Sequence, residues 1–109
     1  GSSDLDEAAM RDLANLADIA KSLNGYMIEI AGYSSNTLNT EADRKLSEER
    51  AATVARYFRD KNIPLRRILV PAGFGSTQPV ASNRDPQGRQ LNRRVDIKVL
   101  VNKRQGQGS

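Results

Sequence analysis

Neither histidine nor cysteine occurs in the 109 residues. That removes the commonest general base, the commonest metal ligand and all thiolate and disulfide chemistry. Arginines, carboxylates and hydroxyls are left. Arg50 stands in the run Leu46-Ser47-Glu48-Glu49-Arg50-Ala51-Ala52-Thr53-Val54. A guanidinium is planar, permanently charged and matched to a carboxylate by two parallel hydrogen bonds, which makes Arg50 a candidate anion reader. As plain helix surface it would pair with Glu49 or a neighbouring turn instead. No serine lies in a Gly-x-Ser-x-Gly setting, and Ser47 precedes two acids with no base to activate it. Gly73-Phe74-Gly75 lacks the length and the Lys-Ser/Thr of a phosphate loop, so both glycines are expected to supply positive φ in a turn. This inventory points to binding by charge. No catalytic residue, no metal and no cofactor is expected.

The charge is unevenly spread. Arg84 to Arg104 holds seven basic residues and two acids, whereas the rest of the chain holds ten basic and eleven acidic. A basic end of this kind meets an anion or simply lies in solvent as strand and tail. With no Trp and 5% aromatic residues, there is no stacking platform for bases, and nucleic acid is not expected as a partner. No apolar run approaches the ~18 residues of a membrane span, and no signal-peptide pattern is visible.

These residues need elements to position them, and the length fits one domain. Residues 1–4 read as an expression scar or a cut linker, 5–101 as the domain and 102–109 as a disordered tail. Asp4 to Leu23 reads as an amphipathic helix, because Leu5, Ala9, Leu13, Leu16, Ala20 and Leu23 recur at spacings of three and four. Tyr26 to Tyr33 alternates like a strand, and Ser34 to Asn39 is a polar loop. A second helix starts with Thr40 as N-cap and Asp43 in its first turn, and runs to about Lys61. Leu46, Ala51, Val54, Tyr57 and Phe58 form its apolar stripe, and Asn62-Ile63-Pro64 stops it. Arg67 to Ala72 reads as a short strand centred on Ile68, Leu69 and Val70. A Gly/Ser/Pro loop follows, then a short helix after Pro86. Val95 to Val101 is the last strand. This order predicts an α+β fold: a two-layer α/β sandwich whose small mixed sheet is covered on one face by helices.

Several spaced motifs resemble the OmpA-like C-terminal domain family. They are LSEERAATV from Leu46, Gly73-Phe74-Gly75, Pro79 to Asn83, Gly88-Arg89 and Asn92-Arg93-Arg94-Val95. The resemblance spans about Leu5 to Val101. It implies a domain that binds peptidoglycan without cutting it, with Arg50 reading a carboxylate of the peptide stem, usually at diaminopimelate. The family also places an Asp fifteen residues before this Arg to receive the ligand's ammonium, and here that position is Ser35. A hydroxyl carries no charge for an ammonium. The family Asn seven residues before the Arg is Asp43 here, which either compensates for Ser35 or serves the helix N-terminus. The implied ligand-binding positions are Ser35, Asp43, Leu46, Arg50, Asn83, Arg93 and Arg94. One of Arg93 and Arg94 is expected to be structural, because consecutive strand residues face opposite sides.

The resemblance further implies a cell-wall anchor on the periplasmic side of a Gram-negative envelope, from a parent protein associated with the outer membrane. The ligand would lie in a shallow polar groove between the Ser34–Asn39 loop and the N-terminus of the second helix, held by Arg50 and loop backbone amides. The family's opening strand has no counterpart in the sequence, which would leave Val95 to Val101 as an open edge able to pair with a second copy. The alternative reading is a degenerate domain that has lost or altered peptidoglycan binding and serves protein interaction or oligomerisation.

Overall fold

In a computed structural model that describes residues 5–37 and 39–101, the elements follow capping and periodicity closely. Helix α1 spans Glu7–Lys21. It begins where the Asp6 carboxylate accepts from the Ala9 N–H at 2.7 Å, so Asp6 is a cap and the helix is shorter at that end than its apolar pattern. Leu13, Ala17 and Ala20 are its buried face. Strand β1, Tyr26–Gly32, turns Tyr26, Ile28, Ile30 and Gly32 inward. Helix α2 spans Thr40–Asp60, and its N-cap is Asn39, not Thr40: Asn39 Oδ1 accepts from Ala42 N at 3.0 Å. Its buried stripe is Asp43, Ser47, Ala51, Val54, Ala55 and Phe58, with Leu46 and Tyr57 half-buried beside it. The helix ends on Asn62 at φ 71°, with Ile63 N donating to Phe58 O and Asn62 N to Arg59 O, a left-handed Schellman stop.

The expected strand at Arg67 to Ala72 is replaced by three pieces. Leu65–Arg67 is a 3-10 turn after Pro64. Ile68 makes a single parallel bridge to Ile28, with Leu69 N donating to Ile28 O at 2.9 Å. Strand β2 is only Ala72–Gly73. The physical reason lies in between. Val70 is 89% exposed, and Pro71 has no N–H to give a ladder, so the chain leaves β1 after Ile68 and returns at two small residues. Helix α3 spans Pro86–Asn92, capped by Asp85, and β3 spans Val95–Val101.

The sheet order is β2-β1-β3, with β2 parallel to β1 and β3 antiparallel over seven pairs from Tyr26↔Val101 to Gly32↔Val95. Among the described residues β3 therefore lies at a sheet edge. The core joins α1, α2 and the inner face of β1 through Leu13, Ala17, Ile28, Ile30, Val54 and Phe58. The α+β layering read from the sequence is the observed one. Expectations for residues 1–4 and 102–109 lie outside the described residues.

Candidate anion-binding site

The site begins where β1 ends. Past Gly32 the chain crosses the top of the sheet, and its backbone is tied on both sides. Tyr33 N donates to Arg94 O and Ser34 N to Gly75 O, each at 2.8 Å. Asn36 N donates to Asn83 Oδ1 at 3.2 Å. Thr37 N donates to Asp43 Oδ2 at 3.1 Å, and Thr37 Oγ1 donates to Asp43 Oδ1. These four amides are committed within the fold, three of them, those of Ser34, Asn36 and Thr37, in the loop itself. Asp43 is buried, and each of its carboxylate oxygens accepts a bond from Thr37; the helix N-cap is Asn39 instead.

The middle of α2 forms the floor. Ser47 is fully buried, donates to Arg44 O at 2.7 Å and accepts from Gly75 N at 2.9 Å. Of the two glycines in the turn, only Gly75 has positive φ, at 59°. Gly73 is needed for another reason: a Cβ there would sit 2.5 Å from Glu48 N, inside helix backbone.

One turn beyond Leu46, Arg50 lies half-buried, and its Nη1 reaches the Tyr33 carbonyl at 3.4 Å. Burial, and then the like charge of Arg93, hold its pKa below the usual arginine range. Arg93 is exposed, and its Nη1 donates to Ser35 Oγ at 3.3 Å. Arg94 points the other way. Its guanidinium lies 3.9 Å from the centre of the Tyr33 ring, which stacks on Phe74, and its Nε meets Asp96 at 3.2 Å. Arg93, the C-cap of α3, and Arg94 both precede β3, and their side chains diverge: Arg93 turns toward Ser35, and Arg94 braces the outer side.

Asn92, which the sequence offered only as part of a motif, is fully buried and satisfied at every polar position. Its Oδ1 accepts from Val80 N at 2.7 Å and Ala81 N at 3.0 Å, and its Nδ2 donates to Ala81 O at 2.9 Å and Asn83 Oδ1 at 2.8 Å. Asn83 Oδ1 therefore joins Asn92 to the Asn36 amide. Arg89 adds a bond to Asn83 O at 3.1 Å. Of the seven positions suggested by the sequence, Ser35, Arg50 and Arg93 come together as a polar cluster. Asp43 and Asn83 hold the loop that carries Ser35. Leu46 lies half-buried on the same helix, and Arg94 lies on the other side. Asn36 and Thr37 were missed as loop anchors, and Asn92 was offered only as a member of its motif. The polar Asn36-Thr37 pair six to seven residues before a first-turn acid was the available signal.

Among the described residues no group of three acids could hold a metal ion, and no helix is long and apolar enough to cross a membrane. The arrangement has one chemical capacity: two guanidiniums and a hydroxyl that can surround an anion.

The OmpA family model matches residues 1–93, and the chain belongs to that family. It is a family of non-catalytic modules found in envelope proteins. Peptidoglycan-binding protein ArfA of Mycobacterium tuberculosis is 38% identical over 87 residues, which are 80% of this chain and 26% of ArfA. The cell wall anchor of the T6SS from Pseudomonas aeruginosa superposes with a TM-score of 0.77 at 28% identity, over 93% of this chain and 72% of that one. The C-terminal domain of Helicobacter pylori MotB superposes with a TM-score of 0.85 at 21% identity, over 98% and 83%, and shares the fold. The chain spans well under half the length of the curated relatives it matches, between 9% and 42%.

Proposed function

We propose that this domain anchors its parent protein to peptidoglycan, on the periplasmic side of the envelope, by holding a carboxylate of the stem peptide at diaminopimelate. The observation that carries the reading is that Arg93 meets Ser35 while Arg50, near enough to feel the charge of Arg93, meets the Tyr33 carbonyl at the start of a loop tied down at four amides. A preorganised pair of guanidiniums gives up little freedom on binding a carboxylate. Membership of the OmpA family and the relation to a peptidoglycan-binding protein support it. An outer-membrane parent belongs to the same reading, since an Outer-membrane lipoprotein YfiB of Pseudomonas aeruginosa is 40% identical over 72 residues.

Co-sedimentation with insoluble peptidoglycan sacculi tests it. Wild type should pellet with the sacculi, Arg50→Ala should stay in the supernatant while keeping its circular dichroism spectrum, and Arg50→Lys should recover little because an ammonium lacks the planar fork. Equal pelleting of all three proteins would refute the assignment. Absence of pelleting by folded wild type would favour the interaction-module alternative.

A further inference from the structure

The end of the fold away from the loop is also cationic. From Arg59 to Arg67 the chain carries four bases, Arg59, Lys61, Arg66 and Arg67, and one acid, Asp60. Helix α2 stops here at Asn62, buried Ile63 pins the turn, and Pro64 starts the 3-10 turn that holds Arg66 and Arg67. Arg67 Nη1 donates to Tyr26 O at 2.9 Å, and its guanidinium lies 4.7 Å from the centre of the Tyr26 ring. Lys61 Nζ lies 5.4 Å from the centre of the Tyr57 ring. A ring holds a cation in place without neutralising it. Among the described residues none of the four bases pairs with a carboxylate. Leu65 stands between them, 61% exposed, and Leu100, 41% exposed, lines the same shallow groove as Arg67. Val101 pairs with Tyr26 at this end, and the sequence runs on from it into Lys103 and Arg104.

We infer that this end docks on an anionic phospholipid surface. Each Lys or Arg brought up to a sheet of negative headgroups adds about fivefold to affinity. Such a sheet asks for no directional partner, which suits cations on long, flexible stems with no fixed acid beside them. Leu65, with Lys61 and Arg66 on either side of it in the chain, has the exposure to enter the boundary between headgroups and acyl chains, while its neighbours keep their charges at headgroup level. The contact is a surface contact and needs no spanning segment. Arg67 on the Tyr26 carbonyl and Arg50 on the Tyr33 carbonyl mark the two ends of β1, about 23 Å apart along the strand. A domain docked by its Arg67 end therefore presents its Arg50 end away from the bilayer. The docking surface shares no residue with the anion site, so it stands or falls apart from the peptidoglycan reading.

The test is co-flotation of the chain with vesicles of equal parts phosphatidylglycerol and phosphatidylcholine in ~0.1 M salt. Wild type should float with these vesicles, stay behind with pure phosphatidylcholine, and be released at ~1 M salt. The double variant Arg59→Glu/Arg66→Glu should bind the anionic vesicles at least about twentyfold more weakly. Neither side chain makes a hydrogen bond or ion pair with a described residue, so the circular dichroism spectrum should be unchanged. Lys45→Glu/Arg84→Glu makes the same change of net charge at the end that carries the Ser34–Asn39 loop, and should float nearly as well as wild type. Equal losses in the two double variants overturn the inference, because attraction would then follow net charge alone. Equal flotation with pure phosphatidylcholine overturns it too. Absence of flotation by folded wild type overturns it and leaves the patch to an acidic protein. Sacculus co-sedimentation of Arg59→Glu/Arg66→Glu keeps the two functions apart: it should still pellet as wild type does, and loss of its pelleting would place these arginines on peptidoglycan and overturn the inference.

Discussion

Asn92→Ala should be the most damaging single truncation of the polar scaffold. The substitution deletes four hydrogen bonds between 2.7 and 3.0 Å. It also strands two amide N–H groups and the Ala81 carbonyl, and leaves Asn83 Oδ1 with Asn36 N as its remaining donor. At about 1 kcal/mol net per bond the gross loss is about 4 kcal/mol. Val80 is 62% exposed, so water reaches part of the gap, and the expected cost falls to about 2–3 kcal/mol. In a domain of this size that lowers Tm by roughly 10–20 °C, which differential scanning calorimetry reads directly. Asn83 Oδ1 also loses the donor that orients it toward Asn36, so amide exchange at Asn36 should accelerate. Asn92→Asp is a sharper probe. It keeps the two accepted bonds and turns an oxygen toward the Ala81 carbonyl and Asn83 Oδ1. Two facing acceptors raise the new carboxyl's folded-state pKa above its unfolded value. A raised pKa adds stability that is present below the unfolded value and lost as pH rises through the folded one. This variant should therefore lie closest to wild type in acid and fall furthest below it at pH 8. A loss under about 0.5 kcal/mol for Asn92→Ala, or an Asn92→Asp deficit that is the same at pH 4 and pH 8, would refute the reasoning.

Two neighbouring arginines should separate cleanly. Arg93→Ala should weaken sacculus binding at least about tenfold with little change in Tm, whereas Arg94→Ala, which leaves the Tyr33 ring and Asp96, should lower Tm with binding largely retained; binding and calorimetry on both variants decide, and the reverse pattern contradicts the assigned orientations. Gly73→Ala should destabilise by about 1–3 kcal/mol, because the added methyl meets the Glu48 backbone and β2 must move off α2; urea titration measures it, and a neutral result would mean that the approach of β2 to α2 is looser than described.

Both long helices, β1 and β3 were legible because their periodicity and their burial coincide. The Ile68-Leu69-Val70 run was not, since its composition reads as strand while Pro71 and the exposed Val70 prevent a ladder there. Asn39 and Thr40 are both competent caps, and what separates them is the backbone of the loop, which sequence does not display. At the site, the spacing of Arg50 within its helix was readable, and so was the fact that Arg93 and Arg94 oppose each other. Which of them faces Ser35 depends on the β3 register, Gly32 opposite Val95, and on the bond from Tyr33 N to Arg94 O. Asp43 had the position of a dipole-complementing acid and turned out to hold Thr37. Asn92 was visible as a motif residue, but its partners were not, because they lie 9 to 12 residues away in an aperiodic loop.

Peptidoglycan is proposed to be held at Arg50, Arg93 and Ser35. The most direct measurement is 15N chemical-shift mapping with a soluble stem-peptide fragment purified from digested sacculi. The predicted result is a contiguous set of saturable shifts over residues 33–37, Arg50 and Arg93, abolished in Arg50→Ala. Shifts confined to the outer sheet face around Met27, Glu29 and Lys98, or a pattern that Arg50→Ala leaves unchanged, would contradict it.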